Sequence, residues 1–237
     1  MSNLDILYES DITFGGLFNE WRVKRVQKLE QVLGKKWFKG KKILELGCAY
    51  GNVGFYFKSL GADVTFSDGR QEALDEVLRR DPSAKVILID EDTDWKLNEK
   101  FDLIIHFGIS YNINNWKQDL INTIKHAKYI AYETAVNRFN NEIEFKIKNY
   151  QYAHEYHGPI NNIGSLMSIS MIEDIFNNEK VEYKRYDDED LNNQGMIYTF
   201  SDNIAYTKTS DEDIYIEAWH NPFVCGGRKY WIIKNNK

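Results

Sequence analysis

Cysteine is nearly absent. Cys48 and Cys225 are the only two in 237 residues. They stand far apart, which excludes a disulfide-stapled mini-domain and any closely spaced set of thiolate metal ligands. Both are expected to be free thiols in a reducing compartment. Proline occurs three times, too few for Pro-rich linkers. No apolar run approaches the roughly 18 residues of a membrane-spanning helix. The first residues, Met1 to Asp5, lack the basic start and apolar stretch of a secretory leader. These absences lead to the expectation of a soluble, cytoplasmic protein. Positive charge is in deficit too: a net charge of −6 argues against a surface whose main task is to grip a phosphate backbone.

What is present is ample material for a core. Apolar residues make up 43% and aromatics 14%, with 15 Tyr, 13 Phe and 6 Trp. That length and composition suit one large α/β domain carrying inserted lids.

The chain is organised around Lys41 to Gly54. Ile43, Leu44 and Leu46 form a short apolar run that reads as a buried strand. Glu45 and the glycines Gly47, Gly51 and Gly54 follow, then Val53, Phe57 and Leu60 at helical spacing. This is a strand, a tight turn and a helix N-terminus, the first unit of a Rossmann-like fold. The dinucleotide fingerprint G-x-G-x-x-G is not met, because Ala49 stands at its middle glycine. Glu45 repels a pyrophosphate and attracts a ligand bearing an ammonium and a sulfonium.

Glu45, Gly47, Ala49 and Gly51 resemble the first motif, E/D-x-G-x-G-x-G, of the class I S-adenosylmethionine-dependent methyltransferases. The resemblance implies that Glu45 faces the methionine end of the cofactor and that Gly47, Cys48, Ala49 and Gly51 line it. It continues at Gly61 to Arg70, which is similar to the family's second motif. An acid ending a second strand can accept both ribose hydroxyls, so Asp68 is expected to hold the ribose, with Gly69 and Arg70 beside it. A third strand, residues 84–89, closes on Asp90 and Glu91. An acid here implies contact with the adenine amine, and the sequence leaves both as candidates. Phe101 to Ile113 resembles the family's fourth-strand segment, whose end lies beside the transferred methyl group; there His106 and Phe107 are expected near the cofactor. Asn112 stands where the family often has His. The resemblance covers about residues 40–135 and implies a mostly parallel doubly wound sheet of order 3-2-1-4-5-7-6 with an antiparallel last strand.

Leu17 to Leu33 has the apolar spacing of an amphipathic helix stopped by Gly34, with Arg22, Lys24, Arg25 and Lys28 expected on its solvated face. Helices are also expected at about 70–80, 115–126 and 168–177, the last with a capping box of Ser170 and Glu173. Strands are expected at 129–134, 181–186 and 229–233. Residues 1–40 read as a helical cap, 41–135 as the cofactor core, 136–168 as a substrate lid, and 187–227 as an insertion, all on one domain. Tyr150, Tyr152, Tyr156 and His157 are expected to line or pack the lid, and His154 with His157 lacks a third ligand, so no metal is expected. Met196 to Phe200 and Ile214 to Trp219 read as an accessory hairpin. Asp187 to Asp190 reads as a solvated acidic run.

The expected activity is S-adenosylmethionine-dependent methyl transfer to an oxygen or nitrogen of a small or medium polar acceptor. His106 is the expected base, near neutrality in its ordinary pKa, with Glu133 and Tyr111 orienting. Glu133 enters because open α/β sheets bind ligands outside the carboxyl ends of their strands. The alternatives are a nucleic-acid or protein methyltransferase, or a non-catalytic subunit that binds the cofactor. Self-association is left open.

Overall fold

The computed structural model describes residues 4–8, 17–139, 143–148, 159–161, 163–193, 196–200, 214–216 and 225–237. Its elements are α1 (Asp5–Tyr8), α2 (Leu17–Leu33), β1 (Lys42–Leu46), α3 (Asn52–Ser59), β2 (Asp63–Asp68), α4 (Gln71–Arg80), β3 (Lys85–Leu88), β4 (Phe101–Phe107), α5 (Trp116–His126), β5 (Ala127–Asn137), β6 (Glu144–Lys148), β7 (Ile163–Met167), α6 (Ile169–Asn178), β8 (Glu182–Tyr186), β9 (Ile214–Ile216) and β10 (Cys225–Lys234). Seven strands form one sheet in the order β3-β2-β1-β4-β5-β10-β8. Its first five strands run parallel, and β10 pairs antiparallel with both β5 and β8. This is the order expected for a Rossmann-like methyltransferase fold.

Successive side chains of a strand face opposite sides, and here they feed two cores. Ile43, Val64, Phe66, Leu103 and Ile105 pack with α2, α3 and α4 residues such as Val26, Leu29, Phe57 and Val77. Leu44, Leu46, Ile104, Tyr132 and Trp231 pack with Trp116, Leu120, Ile169 and Phe176 of α5 and α6. Each strand buried on both faces therefore reads as a continuous apolar run.

Three expectations need correction. β6 and β7 with β9 make a second sheet of order β7-β6-β9. Residues 214–216 thus pair in parallel with β6, while Met196 bridges to Asn193, so among the described residues the two segments do not pair with each other; Trp219 lies outside the described residues. The cap of α6 is Ser168, whose hydroxyl accepts from the Met171 N–H. Glu173 instead accepts from Trp231 Nε1 at 3.0 Å and pairs with Arg185. The basic residues of α2 are not a solvated face: Arg22, Arg25 and Lys28 are 8%, 4% and 4% exposed. Lys28 is held by Asp188 at 2.8 Å and Asp190 at 2.7 Å, and the acidic run Asp187 to Asp190 stays exposed, as expected. His154, His157, Tyr150, Tyr152 and Tyr156 lie outside the described residues.

Candidate active site

The turn after β1 carries the cofactor end of the site. Gly51 and Ala49 both take positive φ, 77° and 49°. Ala49 therefore occupies the left-handed region where the family pattern has glycine, and an L side chain there costs about 1–2 kcal/mol. Gly54 is needed for space: a Cβ on it would stand 2.4 Å from the Phe66 ring and 2.5 Å from Glu45 Oε2. Without one, α3 closes onto the sheet and the Gly54 N–H reaches Glu45 Oε2 at 2.8 Å.

Three buried carboxylates converge on this turn. Glu45 is pushed up to about 8, chiefly by burial, against the pull of the Gly54 N–H and of Arg25 and Arg80. Asp68 accepts from the Ala49 N–H at 2.9 Å and the Arg70 N–H at 3.0 Å. Burial raises its carboxyl, and those two donors pull it down. Glu91 reaches back from the loop after β3 to accept from the Gly47 N–H at 3.1 Å. Burial, then Asp68 and Asp119, hold its carboxyl well above the usual range. Asp90 is turned to its own loop, accepting from the Asp92 N–H at 3.0 Å. Cys48 is buried among these acids, which with burial hold its thiol well above its ordinary value. A cavity wall of carboxylates and turn amides suits a ligand with a cation and vicinal hydroxyls. It does not suit a pyrophosphate.

The ends of β4 and β5 carry a different chemistry. Glu133 is fully buried. Its Oε1 accepts from Arg228 Nη1 and the Tyr198 hydroxyl, each at 3.0 Å, and Oε2 from Arg25 Nη1 at 3.3 Å. The guanidiniums are layered with rings. Arg25 lies 3.6 Å from the Trp21 centroid and 4.6 Å from Phe107, and Arg228 lies 4.2 Å from Trp21 and 4.8 Å from Tyr111. Arg228 Nη2 also donates to the Tyr111 hydroxyl at 3.1 Å, and Trp21 Nε1 donates to the Tyr198 hydroxyl at 2.8 Å. The cap helix α2 is thereby tied to β5, β10 and the turn after β4. Arg25, Arg228, Trp21 and Tyr198 were not among the site residues expected from sequence. The signal available was the Trp21–Arg25 pair at i, i+4, one face of a helix.

His106 is placed elsewhere. In register it lies beside Tyr132, while Phe107 lies beside Glu133. The alternation of a strand therefore puts His106 and Glu133 on opposite faces of the sheet. His106 is fully buried. Its Nε2 is 2.6 Å from Asp119 Oδ2, and the other Asp119 oxygen accepts from Trp95 Nε1 at 2.9 Å. The expected grouping of His106 with Glu133 and Tyr111 is thus not formed; Glu133 and Tyr111 meet through Arg228, and His106 belongs to the α5 side. Among the described residues no cluster of His, Cys, Asp or Glu has the make-up of a metal site.

A family model described as "Methyltransferase domain" matches residues 18–179, more than half of the chain. The N-terminal domain of EvdMO1, crystallised with S-adenosylhomocysteine bound, superposes with a TM-score of 0.62 at 12% identity, over 99% of this chain and 94% of that one. The N-methyltransferase NodS from Bradyrhizobium japonicum, in complex with S-adenosylhomocysteine, gives 0.55 at 12% identity, over 99% and 97%. At such identities the likeness is one of fold. A histidine protein methyltransferase 1 homolog from Dictyostelium discoideum is 32% identical over 93 residues, which span 33% of this chain and 29% of that relative. The chain belongs to the class I methyltransferases, enzymes that use S-adenosylmethionine as methyl donor.

Proposed function

We propose that this methyltransferase acts on an oxygen or nitrogen of a small or medium polar acceptor. The acceptor is held under the cap helix, on the sheet face that carries Phe107 and Glu133. The observation behind this reading is the enclosure of that region. Trp21, Tyr111, Tyr198, Glu133, Arg25 and Arg228 are each less than 10% exposed, and the walls come from α2, β5, β10 and the 196–200 segment. An enclosed, aromatic and polar site suits a compact ligand with a few fixed hydrogen bonds. S-adenosylmethionine supplies an electrophilic methyl on a leaving group that departs neutral. The protein's share of the work is then alignment and desolvation of the nucleophile. In this reading Glu45, Asp68 and Glu91 hold the cofactor with Gly47, Cys48, Ala49, Gly51, Gly69, Arg70 and Asp90. Tyr111 orients the acceptor, Glu133 sets the position of the two guanidiniums, and His106 acts from the opposite face as a positioning residue. Residues 136–168 and 187–227 serve as lid and insertion on one domain, with 1–40 as its cap and 41–135 as its cofactor core.

A second reading is methylation of a protein histidine, favoured by the 93-residue match to the Dictyostelium relative. Methyl-tritiated S-adenosylmethionine incubated with the purified protein and a cell extract separates the two. Label recovered in the metabolite fraction supports the small acceptor; label in the protein fraction, on histidine after hydrolysis, supports the second reading. Label in tRNA sinks both.

A further inference from the structure

Asp68 is followed by Gly69, so the residue beside the ribose carboxylate offers no side chain. The space it leaves is filled from a distant part of the chain. A Cβ built on Gly69 would stand 2.4 Å from Ile160 Cδ1, 3.3 Å from the Ile89 carbonyl oxygen and 3.6 Å from Asp90 Cα. Three elements therefore meet at one point: the end of β2, the loop after β3, and the turn at 159–161 that leads into β7. The turn is fastened there. Asn161 Nδ2 donates to Asp92 Oδ2 at 3.0 Å, while Asp92 Oδ1 accepts the Asn115 N–H at the start of α5 at 2.6 Å. Ile160 is 43% exposed, a large apolar side chain half open at the rim of the cofactor site.

We infer that Ile160 is a cofactor-binding residue, the apolar wall for the adenine ring, delivered by the turn at 159–161 in place of a side chain at Gly69. The inference rests on Asp68 as the ribose acid. With the methionine end at the β1 turn and the ribose at β2, the base extends toward β3, the next strand outward in the sheet. An adenine ring has two apolar faces that need cover. Ile160 touches Gly69 at that place and has open surface to give.

The test is calorimetric titration of the full chain with S-adenosylhomocysteine and with 5′-methylthioadenosine, which keeps the nucleoside and lacks the amino acid. Ile160→Ala removes most of the half-buried side chain. It is expected to weaken both ligands by the same factor, about fivefold. Gly69→Ala is expected to weaken both by pushing Ile160 aside. In the Ile160→Ala background the same Gly69→Ala change is expected to weaken binding much less, because only the Ile89 carbonyl at 3.3 Å still crowds its new methyl. Asp68→Ala is run alongside. If Asp68→Ala abolishes binding and Ile160→Ala leaves it unchanged, the inference is wrong and the ribose assignment stands. Tighter binding by Ile160→Ala also overturns it, since that means the side chain blocks the base. If Asp68→Ala binds normally, the ribose assignment fails first and the inference falls with it. A thermal melt matching the parent protein excludes misfolding, which an exposed position should not cause.

Discussion

Glu45 gives the sharpest prediction. Its carboxyl is 5% exposed, accepts one backbone N–H at 2.8 Å, and is pushed up to about 8 by burial. At neutral pH the empty site then holds Glu45 mostly protonated, by about ten to one. A ligand with an ammonium and a sulfonium pairs only with the ionised form, so binding must expel the proton. The apparent affinity for S-adenosylmethionine is expected to rise about twenty-fold between pH 6 and pH 8, an increase of about fifty-fold in ionised Glu45 offset about twofold by loss of charge on the cofactor's own α-amino group. The rise ends there, since Glu45 is by then half ionised and the cofactor's own α-amino group, with a pKa of about 7.7–8.0, has lost about half of its charge. Calorimetry in two buffers of different ionisation enthalpy reads both the affinity and the protons released. Glu45→Gln is expected to flatten the rise and to bind weakly at every pH. An affinity that is level or falling from pH 6 to pH 8, or proton uptake on binding, refutes the reasoning.

Other expectations follow from the same geometry. The folded-state value of Glu45 lies above its unfolded one, so its contribution to stability is full below about pH 4.5 and is lost as pH rises through about 8. The urea midpoint of the ligand-free protein is therefore expected to fall across that window, and less so in Glu45→Gln. Ala49→Gly relieves a left-handed alanine at a smaller entropic cost, a net gain of about 1 kcal/mol and a melting temperature higher by about 2–4 °C; a lower melting temperature contradicts the strain argument. Glu133→Ala leaves Arg25 and Arg228 buried without their shared carboxylate and is expected to cost about 3–5 kcal/mol in urea denaturation. Asp119→Ala strips an acceptor from Trp95 and His106 and is expected to cost about 2–4 kcal/mol. Its S-adenosylhomocysteine affinity should stay within about threefold of the parent's, because the lost bonds lie on the α5 side.

The central strands of the main sheet were legible because they are buried on both faces. Runs such as Ile43–Leu46 and Leu103–Phe107 leave little else for the chain to do. The glycine turn was legible for a local reason: an acid, then glycines, then helical spacing. The cluster around Glu133 was not, because it is made by partners far apart in sequence. Arg25, Glu133, Tyr198 and Arg228 come from four elements, and no local pattern announces that a basic residue on an amphipathic helix turns inward. The last strand was read from Lys229, one residue short of Arg228, the side chain that joins Glu133 to Tyr111. His106 was misplaced by parity. Counting alternate residues from Ile104, which packs with α5, puts His106 on that face and Phe107 on the other. The small sheet escaped notice because β9 pairs in parallel with a strand about 70 residues earlier, and such pairings leave no local trace.

The position of β10 sets a timetable. It lies between β5 and β8, so the edge strand has nothing to pair with until the last strand arrives. Ribosomal synthesis runs at about 5–20 residues per second, and the stretch between the end of β5 and the end of β10 takes about 5–20 s to make. During that interval the nucleoside half, β1 to β5, can already assemble. Glu133 meanwhile waits with Arg25 as a partner but without Arg228, which travels on β10. A nascent chain is therefore expected to acquire cofactor affinity before it acquires an acceptor site. A ligand present during translation would then meet a half-built enzyme and act as a template for the rest.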